Sequence, residues 1–162
     1  MKKSQKGFTI IEVALVLAIG ALIFLVVFLA VPALQRNQRN DARKRDISSV
    51  VDAVASYTGN NPGKIVGTGY AYRDGKAQAT NDLGKYLDTL STNTDTVEVR
   101  NGTAASTPSD FGDSTRPNII FVYTGAKCSD SANIAKASSR SVAVIGAMET
   151  ANGIQAYCQD AE

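Results

Sequence analysis

The sequence predicts an α+β protein: one long N-terminal helix, apolar in its first half and amphipathic in its second, packed on a small antiparallel β-sheet head. Three features point to this. Val13–Leu34 is a run of 22 residues with no charged or hydrogen-bonding side chain. Apolar residues then recur at helical spacing as far as Tyr57. After Gly63 the pattern changes to short β-like runs between turn-rich loops. With 162 residues the chain is long enough for one domain with an appendage and a sizeable core.

Phe8–Leu34 holds 23 apolar residues among 27, the exceptions being Thr9, Glu12, Gly20 and Pro32. As a helix, Val13–Leu34 would extend roughly 33 Å at ~1.5 Å per residue, the hydrocarbon thickness of a bilayer. The apolar region of a cleaved secretory signal is shorter, about 7–15 residues. On composition alone the run reads as a single-pass signal anchor. Pro32 removes a helical hydrogen bond and clashes with the carbonyl four residues back, so a kink is expected near Phe28–Pro32. Beyond it, Ile47, Val50, Val51, Val54 and Tyr57 form one apolar stripe, and Gly59, Asn60, Asn61, Pro62 and Gly63 stop the helix. A helix from Phe8 to about Thr58 would be roughly 75 Å long, and its stripe needs a sheet to cover it.

The strand candidates are Ile65–Tyr72, Thr96–Arg100, Asn118–Tyr123, Ser141–Met148 and Ile154–Cys158. The last two are joined by Glu149–Gly153, a loop of hairpin length ending in Asn-Gly. Asp82–Leu90 is expected to be a short helix with Leu83, Tyr86, Leu87 and Leu90 on one face. From there to Arg116 the chain is rich in Ser, Thr, Asn, Asp and Gly, apart from Val97–Val99, and reads as a solvated loop.

The formal charge of +2 averages unlike segments. Residues 1–45 carry +6, from Lys2, Lys3, Lys6, Arg36, Arg39, Arg43, Lys44 and Arg45 against Glu12 and Asp41; the rest carry −4. The chain has no His, which excludes His-based triads and HExxH metal sites. Two Cys without His cannot make a four-ligand zinc site unaided. No phosphate loop, nucleophile elbow or carboxylate pair at motif spacing is present, so neither catalysis, cofactor nor metal is expected. Asp110 and Asp113 near Asn118 could contribute to a calcium loop, but the EF-hand pattern is absent. Asn101-Gly102-Thr103 is a glycosylation-type triplet. Tyr70, Tyr72 and Arg73 could form a stacking patch for nucleic acid, which the −4 head disfavours.

Glu12 lies five residues inside the apolar rod, where an ionised carboxylate costs on the order of 2.5–3.5 kcal/mol and usually has a partner. It could sit at the membrane edge and pair with Lys6. The stretch Lys6-Gly7-Phe8-Thr9-Ile10-Ile11-Glu12, preceded by Lys2 and Lys3 and followed by the apolar run, resembles the processing signature of type IV prepilins. Gly7 would end the basic leader, Phe8 would begin the mature chain, and Glu12 would be its fifth residue. The layout of a long helix carrying an αβ head is also similar to that family's.

The resemblance implies that prepilin peptidase cuts between Gly7 and Phe8 and methylates the amino group of Phe8. It implies assembly through Phe8 and Glu12, the amine of an incoming subunit pairing with Glu12 of a neighbour. Family pilins carry a glycine and a proline in this half of the helix, here Gly20 and Pro32, between which helicity can be lost in the fibre. The organisation expected is a cleaved leader at 1–7, a membrane and filament-core helix at 8–34, its amphipathic continuation at 35–58 and an αβ head at 63–162. The function implied is that of a structural subunit of a type IV pilus filament. Its partners would be other pilin subunits, prepilin peptidase, the assembly machinery and, before assembly, the membrane; nucleic acid is left open for the filament. The head would lie outside the cytoplasmic membrane, then on an extracellular filament. The positive-inside rule alone would keep it inside, because the collar Arg36–Arg45 outweighs the leader. Alternatives are a pseudopilin of a type II secretion or DNA-uptake machine and a membrane-anchored binding domain that never assembles.

Cys128 and Cys158 are either two free thiols or a bridge that pins the final hairpin to the strand before it. Export favours the bridge, which would contribute roughly 3–4 kcal/mol in the chain-entropy model. A C-terminal disulfide loop also resembles the variable surface region of many pilins.

Overall fold

The computed structural model describes residues 7–87, 90–102, 118–130 and 132–161. The chain forms two compact units, Met1–Asn37 and Gln38–Glu162. One helix, α1 (Ile10–Asn60), supplies residues to both and is unbroken through Gly20 and Pro32. It starts two residues later and ends two later than the sequence suggests. Its C-terminus closes where Asn61 donates both its backbone N–H and its side-chain amide to the Tyr57 carbonyl, at 2.9 and 3.0 Å.

In the first unit the apolar side chains stand exposed all round the helix. A surface of this kind is opposed by water and favoured by apolar surroundings. In the second unit α1 becomes one-sided, as the 3.6-residue period requires. Ile47, Val50, Val54 and Tyr57 are buried, while Asp52 and Ser49 face solvent.

The head contains β1 (Gly69–Arg73), β2 (Lys76–Ala77), a 3-10 turn (Asp82–Tyr86), β3 (Thr96–Asn101), β4 (Ile119–Thr124), β5 (Ala126–Cys128), β6 (Ile134–Lys136), β7 (Val142–Thr150) and β8 (Gly153–Ala161). Six strands form one sheet in the order β2-β1-β3-β4-β7-β8, and β5-β6 is a separate hairpin. The expectation of an antiparallel sheet is corrected at one place: β3 and β4 are parallel, with Val97 opposite Ile120 and Val99 opposite Val122. Parallel neighbours need a crossover of about a dozen residues or more. The stretch 102–118 supplies that length.

Other expectations change in detail. The first strand is Gly69–Arg73 rather than Ile65–Tyr72. The expected helix over Asp82–Leu90 is a five-residue 3-10 turn. Asn81 holds it, accepting from the Leu83 N–H at 2.9 Å, and the fully buried Leu83 anchors it to the core. The strands β7 and β8 run nine residues each, so the loop between them contracts to Ala151-Asn152. Gly153, at φ 127°, takes the left-handed conformation this turn requires. The short strands β2, β5 and β6 were not anticipated. Too few residues in each carry an alternation to read.

Two apolar clusters lie on opposite faces of the sheet, following the two-residue period of its strands. The first joins α1 to Val97, Val99, Ile120, Val122 and Val144. Gly146 permits the close approach of helix and sheet, since a Cβ there would lie 2.4 Å from Cδ1 of the fully buried Ile47. The second gathers Phe121, Tyr123, Ile145 and Ala147 with Ala126 and Ile134 of the small hairpin. Cys128 and Cys158 form a disulfide with Cα atoms 5.9 Å apart. It ties the β5-β6 hairpin to the edge strand β8, rather than pinning the last hairpin to the strand before it. Cys158 lies inside β8 instead of ending it. The Cys128 N–H also donates to Asp160 at 2.7 Å, fixing the same junction.

Candidate functional site

The residues singled out for processing and assembly lie in the first unit. Gly7, Phe8 and Thr9 precede the helix, and α1 begins at Ile10. Phe8 is 84% exposed, and Glu12 is exposed in the first helical turn. A carboxylate there interacts favourably with the positive end of the helix dipole. The Glu12 N–H donates to the Thr9 Oγ1 at 3.2 Å, and the Val13 N–H donates to the Thr9 carbonyl at 3.3 Å. Thr9 is therefore the N-cap, with its side chain satisfying one of the four N–H groups a helix start leaves unpaired. Gly20 and Pro32 lie within the helix and are not interrupted. An 18-residue window of α1 has a mean hydropathy of 3.2, with none of it buried. By length and composition it can cross a membrane. Lys2, Lys3 and Lys6 lie outside the described residues.

Two arginines of the basic collar, Arg39 and Arg43, form ion pairs. On α1, Arg39 reaches Glu149 of β7 with Nε 3.0 Å from both carboxylate oxygens and Nη2 2.6 Å from Oε2. The Arg43 Nη1 lies 2.8 Å from Oε1, an ion pair set off the hydrogen-bonding direction. The Arg43 side chain is only 6% exposed and that of Glu149 22%. Hydrogen bonding from Arg39 holds the Glu149 carboxyl below its ordinary value, with smaller help from Arg43 and against its partial burial.

Asn40 completes the contact. Its side-chain amide donates to the Glu149 carbonyl and accepts from the Glu149 N–H, both at 2.8 Å. The pairing of β4 with β7 runs only to Ile120–Gly146, so Glu149, opposite Ile154 of β8 on one side, lies past the end of the β4 pairing on the other. Asn40 takes the place of a missing strand residue and satisfies two backbone groups that would otherwise be unpaired. Asn40→Ala is expected to cost about 1–2 kcal/mol of head stability, read as a lowered urea midpoint.

Asp46 was also missed. It is buried and accepts from the Ser91 N–H at 2.9 Å, the Ser91 hydroxyl at 2.5 Å and the Thr94 hydroxyl at 2.6 Å. These bonds fasten the turn before β3 to α1. The helical pattern offered one hint, a polar residue directly beside Ile47 on the covered face. Such a residue needs a built set of donors, and no local sequence pattern specifies donors 45 and 48 positions away.

The aromatic patch does not form as three residues. The Arg73 guanidinium lies 4.8 Å from the Tyr70 ring centre, whereas Tyr72 is buried in the core. Regular alternation would put Tyr70 and Tyr72 on one face, but the irregularity in β1 between them turns Tyr72 to the core and leaves Arg73 beside Tyr70. Asn101 is exposed at the end of β3, where its side chain accepts from the Thr124 hydroxyl at 3.1 Å. Thr103, Asp110 and Asp113 lie outside the described residues, and so does any calcium loop built on them.

The long apolar helix continuing into an αβ head, together with a disulfide near the C-terminus, defines a pilin-like α+β chain. The prokaryotic N-terminal methylation motif matches residues 2–28, which fits the class III signal of a type IV prepilin. That motif supports a type IV pilin-like substrate of prepilin peptidase, and the apolar N-terminal helix fits a membrane-anchored precursor. Comparisons with curated proteins and with solved structures gave no match.

Proposed function

We propose that this chain is a structural subunit of a type IV pilus filament and not an enzyme. The carrying observation is Gly7-Phe8 and Glu12 at the start of an uninterrupted, fully exposed apolar rod. Residues 1–7 are removed because Lys2, Lys3 and Lys6 could not enter an apolar fibre core. The new amine of Phe8 is methylated, and residues 8–34 hold the subunit in the membrane until it assembles. Residues 35–58 then join this rod to the head at 63–162, which forms the outer surface.

Polymerisation exchanges lipid contacts of the rod for contacts with neighbouring rods, and pairs the Phe8 amine with Glu12 of another copy. In a low-dielectric core that pair sets register as much as it attracts. The partners are other copies of the subunit, prepilin peptidase and the machinery that extracts subunits from the membrane. Mass spectrometry of sheared surface material is expected to return an N-terminus at Phe8 carrying one methyl group. An intact Met1, or a cut elsewhere, overturns the reading. Electron microscopy then separates a pilus subunit, abundant in long filaments, from a pseudopilin confined to a short periplasmic fibre.

A further inference from the structure

The bond to be cut lies just outside the helix, and one hydroxyl keeps it there. A helix that began two residues earlier would take the Gly7 carbonyl as acceptor for the Ile11 N–H and the Phe8 carbonyl as acceptor for the Glu12 N–H. Instead the Thr9 Oγ1 accepts from the Glu12 N–H at 3.2 Å, and the first ladder bond runs from the Val13 N–H to the Thr9 carbonyl. The donor that would draw the Phe8 carbonyl into the helix is already occupied. Gly7, Phe8 and Thr9 are non-helical, and Phe8 and Ile10 are 84% and 89% exposed.

We infer that Thr9 is a positioning residue for processing: as N-cap it stops α1 two residues after the scissile bond and presents Gly7–Phe8 as an accessible, non-helical peptide. This rests on the processing proposed above. Hydrolysis breaks the bond between the Gly7 carbonyl carbon and the Phe8 nitrogen. Water supplies the oxygen that completes the Gly7 carboxylate and the proton that completes the Phe8 amine. The peptidase must take the bond in a non-helical conformation, which extension of the helix toward Gly7 and Phe8 would remove. Without the hydroxyl, the Glu12 N–H has to find another acceptor, and at a membrane surface the nearest is the Phe8 carbonyl. An unsatisfied amide is costly there, so the helix grows toward the cleavage site.

The test uses the full chain in membrane vesicles with purified prepilin peptidase, following loss of residues 1–7 by intact mass. Thr9→Val and Thr9→Ala are expected to slow cleavage up to about fivefold, the weight of one N-cap. Thr9→Ser and Thr9→Asn, which also cap, should cleave at the wild-type rate or faster. This ranking by capping strength separates the cap from direct recognition of a threonine side chain, under which Asn would fail with Val. Equal rates for Thr9→Val and wild type overturn the inference and leave processing standing. Failure of Thr9→Asn alongside Thr9→Val overturns it in favour of direct recognition. A wild-type chain that is never cut after Gly7 overturns both.

Discussion

Glu12→Val is expected to cut the yield of sheared filaments at least a hundredfold while the chain is still inserted into the membrane and processed. The substitution makes the rod more apolar, so insertion loses nothing; a carboxylate at this depth opposes insertion by roughly 2.5–3.5 kcal/mol. Assembly is different. In the proposed assembly, processing would place a cationic amine on Phe8, and burying that amine among neighbouring rods without a counter-charge would cost about 3–5 kcal/mol. That is a factor of roughly a hundred to several thousand at equilibrium. The measurement is filament mass released by shearing, normalised to the processed subunit remaining in the membrane. A wild-type ratio removes the assembly role assigned to Glu12. Loss of the membrane-inserted form would instead mean that Glu12 serves targeting.

The second large effect belongs to the head. Glu149→Gln keeps the shape of the side chain but removes the charge facing Arg39 and Arg43. Arg39 is 40% exposed and can turn to water, whereas Arg43 is 6% exposed and cannot. The expected loss is about 2–3 kcal/mol, toward the lower end for breaking a buried pair because the Glu149 side chain is itself 22% exposed. For a head of this size that lowers the thermal midpoint by about 10 °C.

The pH dependence has a definite sign. The Glu149 carboxyl is depressed in the folded state, chiefly by hydrogen bonding from Arg39. Its contribution is therefore complete above the unfolded carboxyl value, about 4.3. It is lost as pH falls through the lower folded value. Thermal unfolding of the detergent-solubilised chain, followed by tyrosine near-UV circular dichroism, should show a wide gap between the two proteins at pH 7. The gap should narrow below about pH 4. A gap that stays constant with pH would show that the carboxylate charge is not what holds Arg43.

The rod was legible because its signal is local and unopposed. Between Phe8 and Leu34 almost every side chain is apolar, and a single acid stands out against that background. The strands β4, β7 and β8 were legible for a similar reason: NIIFVY and SVAVIGAM are dense β-branched runs, and Asn152-Gly153 marks the turn. Other features were not readable, because what specifies them lies far away in the chain. Nothing near Thr96 or Ile119 says that these strands run parallel. Arg39 and Arg43 look like any solvated basic run until β7 brings Glu149 to them from 110 and 106 positions away.

By itself, then, the sequence determined the membrane-length helix, the N-terminal methylation motif over residues 2–28, the lone acid of the apolar rod, Glu12, and the α+β class. These depend on composition and on spacing within one or two helical turns. Only the tertiary structure decided that β3 and β4 pair in parallel and that the disulfide clips a side hairpin to the sheet edge. It also decided that Arg39 and Arg43 of the basic collar are structural, and that Asp46 is a buried fastener. Each of those depends on groups brought together across tens of residues. Burial then makes an ordinary surface charge or amide into one that must have its partner.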